Sequence, residues 1–342
     1  MATHMHRILV AVKDLRARDF PAAKKAAQLA RALNAELYLF HAIAEPLYVE
    51  TLMLTKQPLA HFEQQTKEKV RRRLERIANL LRGEGHQALQ ITTEATWDYP
   101  AHDAVIRAAI RLEADLVVVE CERSKHVAPW FLRFTDWELL RNCPLPVLLI
   151  KNRKPYHRSP VLAAIDPTHA FAKPADLDDE ILASASELAR ALGGDLHAVH
   201  AYNAVPGMSA AELASATRLD RAQAAASAAA HGAVDPLLDA IGMAPTNRHI
   251  VEGFAIDVLE SVTHQTGAQI VAMGAVSRSG LRRLLIGNTA EQRLDRMTAD
   301  ILIVKPRGFR GPASTSPRGP QIIVSPALSA GLAAISYNPH LL

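Results

Sequence analysis

The residues Met273 to Glu291, MGAVSRSGLRRLLIGNTAE, bring together three glycines (Gly274, Gly280, Gly287) and three arginines (Arg278, Arg282, Arg283), and the only acid, Glu291, closes the stretch. An apolar run, AQIVAMG, leads into it and a helical pattern follows. Gly274 lets the backbone turn and come close to a ligand. Nine residues separate Ser277 from Gly287, and Asn288 and Thr289 are of the types that cap a helix. Free N–H groups at a helix start behind a glycine-bearing loop suit a phosphate. Such loops also serve as plain connectors in α/β proteins, so this segment alone leaves a purely structural loop equally open.

Other chemistry-bearing residues read more plainly. His41 and His200 each end a strand pattern at equivalent places, but neither has cysteine or carboxylate neighbours at metal spacing, and His197 and His200 fall on opposite strand faces. Structural roles are the expectation. Cys121 and Cys143 are the only cysteines, too few for a disulfide framework, and they fit a reducing cytoplasm as buried or incidental thiols. Trp97, Trp130, Phe131, Phe134 and Trp137 read as packing. In KEKVRRRLERIANLLRGEG, the residues Val70, Leu74, Ile77 and Leu81 form one stripe of a helix whose arginines are its solvated face.

The elements that position these groups alternate regularly. Strand patterns HRILVAV, AELYLFHA, QALQITTEA, ADLVVVE and LPVLLIK enclose helical segments beginning near Phe20, Pro58, Pro100 and Phe131. PVLAAID, DLHAVHAY, NRHIVEG, AQIVAMG and ADILIVK enclose others near Ala175, Ser209, Ala255 and Asn288. Five strands separated by four helices, twice, predict two tandem doubly wound parallel five-stranded sheets. PVLLIK falls on DILIVK at an offset of 154, and strand one aligns at 153, setting Lys13 on Asp166. The repeat is therefore a whole domain, residues 1–153 and 154–306, followed by 307–342, a proline-, glycine- and serine-rich segment that matches neither half and is expected to be a flexible tail, with an added edge strand through QIIV left open. Each half ends in an apolar edge strand, so the halves are expected to pair through their fifth strands or adjoining surfaces as an intramolecular pseudo-dimer. Ligands in such folds sit at the carboxyl ends of the strands, where strand order reverses.

Charge excludes one partner class. The formal +4 divides into +5 over residues 1–153, −4 over 154–306 and +3 over 307–342, which is no continuous basic surface, and nucleic acid is not expected. No apolar run reaches the roughly 18 residues of a membrane span, and the start, MATHMHRILVAV, does not read as a secretory signal, so the chain is expected in the cytoplasm.

The second half resembles the universal stress protein family. Its nucleotide loop, Gly-x2-Gly-x9-Gly-(Ser/Thr/Asn), is read here as Gly274, Ser277, Gly287 and Asn288, and VLAAID, VHA, AMGAVSRSGLRRLLIGNTAEQ and DILIVK follow in family order. With the duplication and FTDWELLRNCPLPVLLIK, the chain over residues 6–306 resembles the tandem E-type members of Gram-negative bacteria. The resemblance implies an adenine nucleotide, ATP or AMP, in the second half. Asp166 and the backbone around Ala164 would meet the nucleoside, with Ala201 beside the adenine. Met273, Gly274 and Ser277 would approach the ribose and phosphates, and Gly287, Asn288 and Thr289 would finish the phosphate cradle. Ser277 departs from the pattern; at a position needing positive φ, serine costs about 1 kcal/mol, although its hydroxyl can donate a hydrogen bond. In the first half Lys13 replaces the aspartate, and Glu120, Arg123, Arg133 and Phe134 stand at the loop positions, so no nucleotide is expected there.

Three functions follow in order: a stress-response regulator or scaffold binding an adenine nucleotide; a tandem scaffold for another small or apolar ligand or a protein partner; and a nucleotide-dependent enzyme of related architecture. No nucleophile-base-orienter set recurs at the ligand edge, so the expected protein is not an enzyme, with slow ATP hydrolysis left open.

Overall fold

The computed structural model describes residues 4–50, 53, 58–85, 88–121, 134–168, 176–203, 216–274, 297–311 and 316–324. Its strands are β1 (Arg7–Ala11), β2 (Glu36–Ile43), β3 (Leu47–Tyr48), β4 (Ile91–Trp97), β5 (Leu116–Glu120), β6 (Val147–Ile150), β7 (Val161–Ala164), β8 (Leu196–Tyr202), β9 (Arg248–Glu252), β10 (Ile270–Gly274), β11 (Asp300–Val304) and β12 (Ile322–Ile323). The described α-helices are α1 (Pro21–Leu33), α2 (Leu59–Gly83), α3 (Ala101–Arg111), α4 (Phe134–Asn142), α5 (Leu177–Leu192), α6 (Ala216–Ala240) and α7 (Ala255–Thr266).

The apolar β-branched runs become strands because both of their faces are covered. In β1, Ile8 and Val10 join the core on one face of the sheet, and Leu9 and Ala11 join the core on the other. Helices α1, α2, α5 and α6 cover the first face; α3, α4 and α7 cover the second. The predicted stripe of α2, Val70, Leu74, Ile77 and Leu81, is buried, while Arg71 and Arg72 point outward and pair with Glu68 one turn back.

Each half has the five parallel strands expected of it, and the two sets merge into one ten-stranded sheet of order β4-β2-β1-β5-β6-β11-β10-β7-β8-β9. The merger is the pairing of the two fifth strands. β6 and β11 run antiparallel, with Leu148 opposite Leu302 and Val147 opposite Ile303, so each apolar edge satisfies the backbone of the other. Both cores continue across this join.

One carboxylate holds the join. Asp300, the first residue of β11, is fully buried and accepts four hydrogen bonds, three from the first half (Lys25 Nζ at 2.6 Å and the backbone N–H groups of Lys151 at 2.7 Å and Asn152 at 2.9 Å) and one from Tyr156 OH, just past the boundary, at 2.7 Å. The Lys25 ammonium also lies 4.3 Å from the centre of the Tyr156 ring. Burial pulls the Lys25 pKa below its ordinary value, with Asp300 pulling the other way, and pushes the Tyr156 phenol well above its own. At the opposite end of β11, buried Lys305 donates to the Arg141 carbonyl at 3.1 Å and sits 4.9 Å from the Phe309 ring centre. Desolvation lowers its pKa to about 8, and raises that of neighbouring Cys143 to about 11.

The segment after β11 includes the added strand that QIIV left open. In its described residues it returns to the first half. A side chain at Gly311 would meet the Asn142 carbonyl at 1.8 Å, so only glycine fits that crossing. The N–H groups of Arg318 and Gly319 donate to Asp98 at 2.9 and 3.2 Å, and β12 adds to β3 as a parallel pair, Ile322 against Leu47. Proline and glycine in this stretch serve a path along the surface, and the carboxylate that anchors it lies in a different part of the chain.

Asp300→Ala leaves the Lys25 charge buried without its carboxylate, so unfolding in urea is expected to show a loss of about 3–5 kcal/mol; a loss within error would remove Asp300 as the anchor. Lys305 gives a pH signature. Its folded pKa lies below its unfolded one, so the penalty for burying its charge is fully present below pH 8 and disappears as pH rises from there towards 10.5. Relative to Lys305→Met, the natural protein should gain on the order of 3 kcal/mol across that window, and parallel stability curves for the two proteins would refute the assignment.

Candidate functional site

In the second half, strand order reverses between β7 and β10. Ala164, the last residue of β7, is the register partner of Met273, so both lie at the switch point. Gly274 ends β10 beside Val304, and Ala201, near the end of β8, lies opposite Val251. The structure thus brings Ala164, Asp166, Ala201, Met273 and Gly274 to the carboxyl ends of three adjacent strands, β8, β7 and β10. Ser277, Gly287, Asn288 and Thr289 lie outside the described residues.

Asp166 stands two residues beyond β7 with its side chain 43% exposed. Its N–H donates to the buried carboxylate of Asp178 in the first turn of α5, at 3.1 Å, and its own Oδ1 accepts from the Thr168 hydroxyl at 2.9 Å. The backbone is pinned from below while the carboxylate stays in contact with solvent, the arrangement needed to receive a donor from a ligand. His200 Nδ1 bonds the Ile165 carbonyl at 3.1 Å and lies 3.8 Å from Asp166 Oδ1. Its counterpart His41 bonds the Val12 carbonyl at 2.6 Å, and burial lowers the His41 pKa. Both histidines therefore clamp the turn after the first strand of their half. His197, on the other face, contacts His249 at 3.2 Å instead. Among the described residues, no three His, Cys, Asp or Glu side chains are placed to hold a metal ion.

Gly274 has a role that its place in the loop pattern did not suggest. A Cβ there would stand 2.7 Å from Leu177 Cδ2 and 3.0 Å from Ile181 Cδ1. The missing side chain is what lets the start of α5 lie across the end of β10 and so places Asp178 under Asp166. A pattern of small and apolar residues signals close packing only once the facing element is known.

In the first half the equivalent positions are rebuilt. Lys13, two residues beyond β1, sends its ammonium across the switch point to the Glu120 carbonyl at 2.8 Å. Cys121 is buried beside it, and Cys143 is buried just after α4; neither is in a disulfide. A cavity of about 700 Å³ opens at this edge, reaching from Lys13 to the linker Lys151–Lys154. The sequence reading assigned nothing to that linker, although the run KNRK was its visible signal.

The sequence profile of the universal stress protein family matches the chain twice, over residues 4–151 and 160–305. The chain is 26% identical over 269 residues to the universal stress protein E homolog of Haemophilus influenzae, covering 76% of this chain and 83% of that one. To universal stress protein E of Escherichia coli K12 it is 25% identical over 313 residues, covering 90% and 96%. Among solved structures, a Pseudomonas aeruginosa PAO1 protein superposes with a TM-score of 0.62 at 24% identity over 89% of this chain and 94% of that one. An Archaeoglobus fulgidus universal stress protein gives 0.58 at 16% over 91% and 99%. With two matches that leave only the linker and the termini uncovered, and the same fold in the solved neighbours, the chain belongs to the universal stress protein family.

Proposed function

We propose that this chain is a stress-response regulator or scaffold that holds an adenine nucleotide, ATP or AMP, at the strand ends of its second half. The observation that carries this reading is the convergence of Ala164, Met273, Gly274 and Ala201 around a half-exposed Asp166 whose backbone is fixed by Asp178. A carboxylate held this way accepts a hydrogen bond from the nucleoside. The strand ends Ala164 and Ala201 are small enough to admit a flat base, and Gly274 brings bare backbone to the sugar. Ser277, Gly287, Asn288 and Thr289, by their place in the family's loop, take the phosphates. The role proposed is binding, with slow ATP hydrolysis left open. No helix among the described residues is long and apolar enough to cross a membrane, and a cytoplasmic location is part of this proposal.

Ser277 supports a second reading, in which the tandem fold is a scaffold for a non-nucleotide ligand or a protein partner. Calorimetry with ATP separates the two. Asp166→Ala should weaken ATP by tenfold or more, and Ser277→Gly should tighten it by up to about tenfold, the equivalent of roughly 1.4 kcal/mol of relieved strain. Absence of ATP binding in both the natural protein and Ser277→Gly, with the fold intact, would favour the scaffold.

A further inference from the structure

The cavity of the first half is not a copy of the candidate nucleotide site. In the second half that site includes Ala201 at the end of β8; in the first half nothing from the end of β2 lines the cavity. The space is displaced the other way, past the end of β5 to the end of β6, where the linker and Thr298, just before β11, close it. At about 700 Å³ it is in the range that accepts a small metabolite.

Its charges favour an anion. Lys13, Lys151, Arg153 and Lys154 reach it from two separate parts of the chain. Among the described lining residues these four cations face three carboxylates, Asp14, Asp19 and Glu120, and Asp19 is paired at 3.1 Å with Lys24, which lies outside the lining. The start of α1 adds to the cations. Pro21, Ala22 and Ala23 face the cavity, no side chain caps this helix, and its first turn holds no acid. The equivalent helix of the second half is built oppositely: α5 carries Asp178, Asp179 and Glu180 in its first turn. Ala22 is the second residue of α1, as Asp178 is of α5. The second half thus supplies its own carboxylate at this helix start, and the first half leaves the positive end of the dipole facing a cavity.

We propose that this cavity binds a small ligand bearing a compact oxyanion, phosphate or carboxylate, with the anionic group between Lys13, the start of α1 and the linker cations. Val12, Phe20 and Ile150 form the apolar wall for the rest of the ligand. Because the linker takes part, such a ligand ties the first half to the segment that leads into the second. The inference stands whether or not the second half binds a nucleotide.

Titrating the full-length protein with inorganic phosphate and, separately, with citrate at low salt tests it, read by calorimetry and by phosphorus line width for phosphate. At least one probe should bind with a dissociation constant of about 1 mM or tighter. Lys13→Met and Lys151→Met should each weaken it at least about tenfold, while Asp166→Ala leaves it unchanged. Phosphate alone binding assigns a phosphate ligand, citrate alone a carboxylate, and both an anion site indifferent to the two. Ala22→Asp guards against lysine variants that fail to fold, since it reproduces the arrangement of α5 and should exclude the anion. Absence of binding by both probes, or binding that survives the lysine substitutions or Ala22→Asp in folded protein, would overturn the proposal.

Discussion

A buried carboxylate is stable only where donors surround it, and Asp300 has four, three of them from the other half of the molecule. Hydrophobic contact between β6 and β11 would tolerate sliding, because valine, leucine and isoleucine line both strands. The fixed geometry of Asp300 against two consecutive N–H groups removes that freedom. It sets the register of the join, and with it the relation of every element in one half to every element in the other.

From that antiparallel join follows the placement of the ligand edges. All strands within a half are parallel, so the two sets of carboxyl ends lie at opposite edges of the common sheet. The halves cannot share a ligand across a single cleft, and each was free to change its own edge. The second half kept an aspartate beyond its first strand and carboxylates at the start of α5. The first half exchanged both signs, with Lys13 beyond β1 and an acid-free helix start at α1. Opposite electrostatics on one duplicated scaffold gives the two edges opposite preferences for charge.

The alternation of strand and helix patterns was enough to give each half its five parallel strands, because fully buried strands must be apolar on both faces. The pairing of the fifth strands was legible for the same reason: two apolar edges need cover. Asp300 was not legible as an anchor, since Lys25 and Tyr156 lie 275 and 144 residues from it along the chain. The loop pattern marked Gly274, but its contact with Leu177 and Ile181 depends on the angle at which α5 crosses the sheet. The linker cations were plain in the sequence; their approach to Lys13 exists only because β5 is placed between β1 and β6. In the tail, QIIV left a strand open, but its hold could not be read there, because Asp98, more than 200 residues away, supplies it.

The return of β12 to β3 bears on how the chain matures at the ribosome. β6 ends at Ile150, and its partner strand begins only at Asp300. At roughly 5–20 residues per second, synthesis leaves the edge of β6 bare for roughly 8–30 s, and the β3 partner arrives later still. The first half therefore emerges early but is finished last. Throughout that interval it carries an open apolar edge, a natural substrate for chaperones that shield nascent strands.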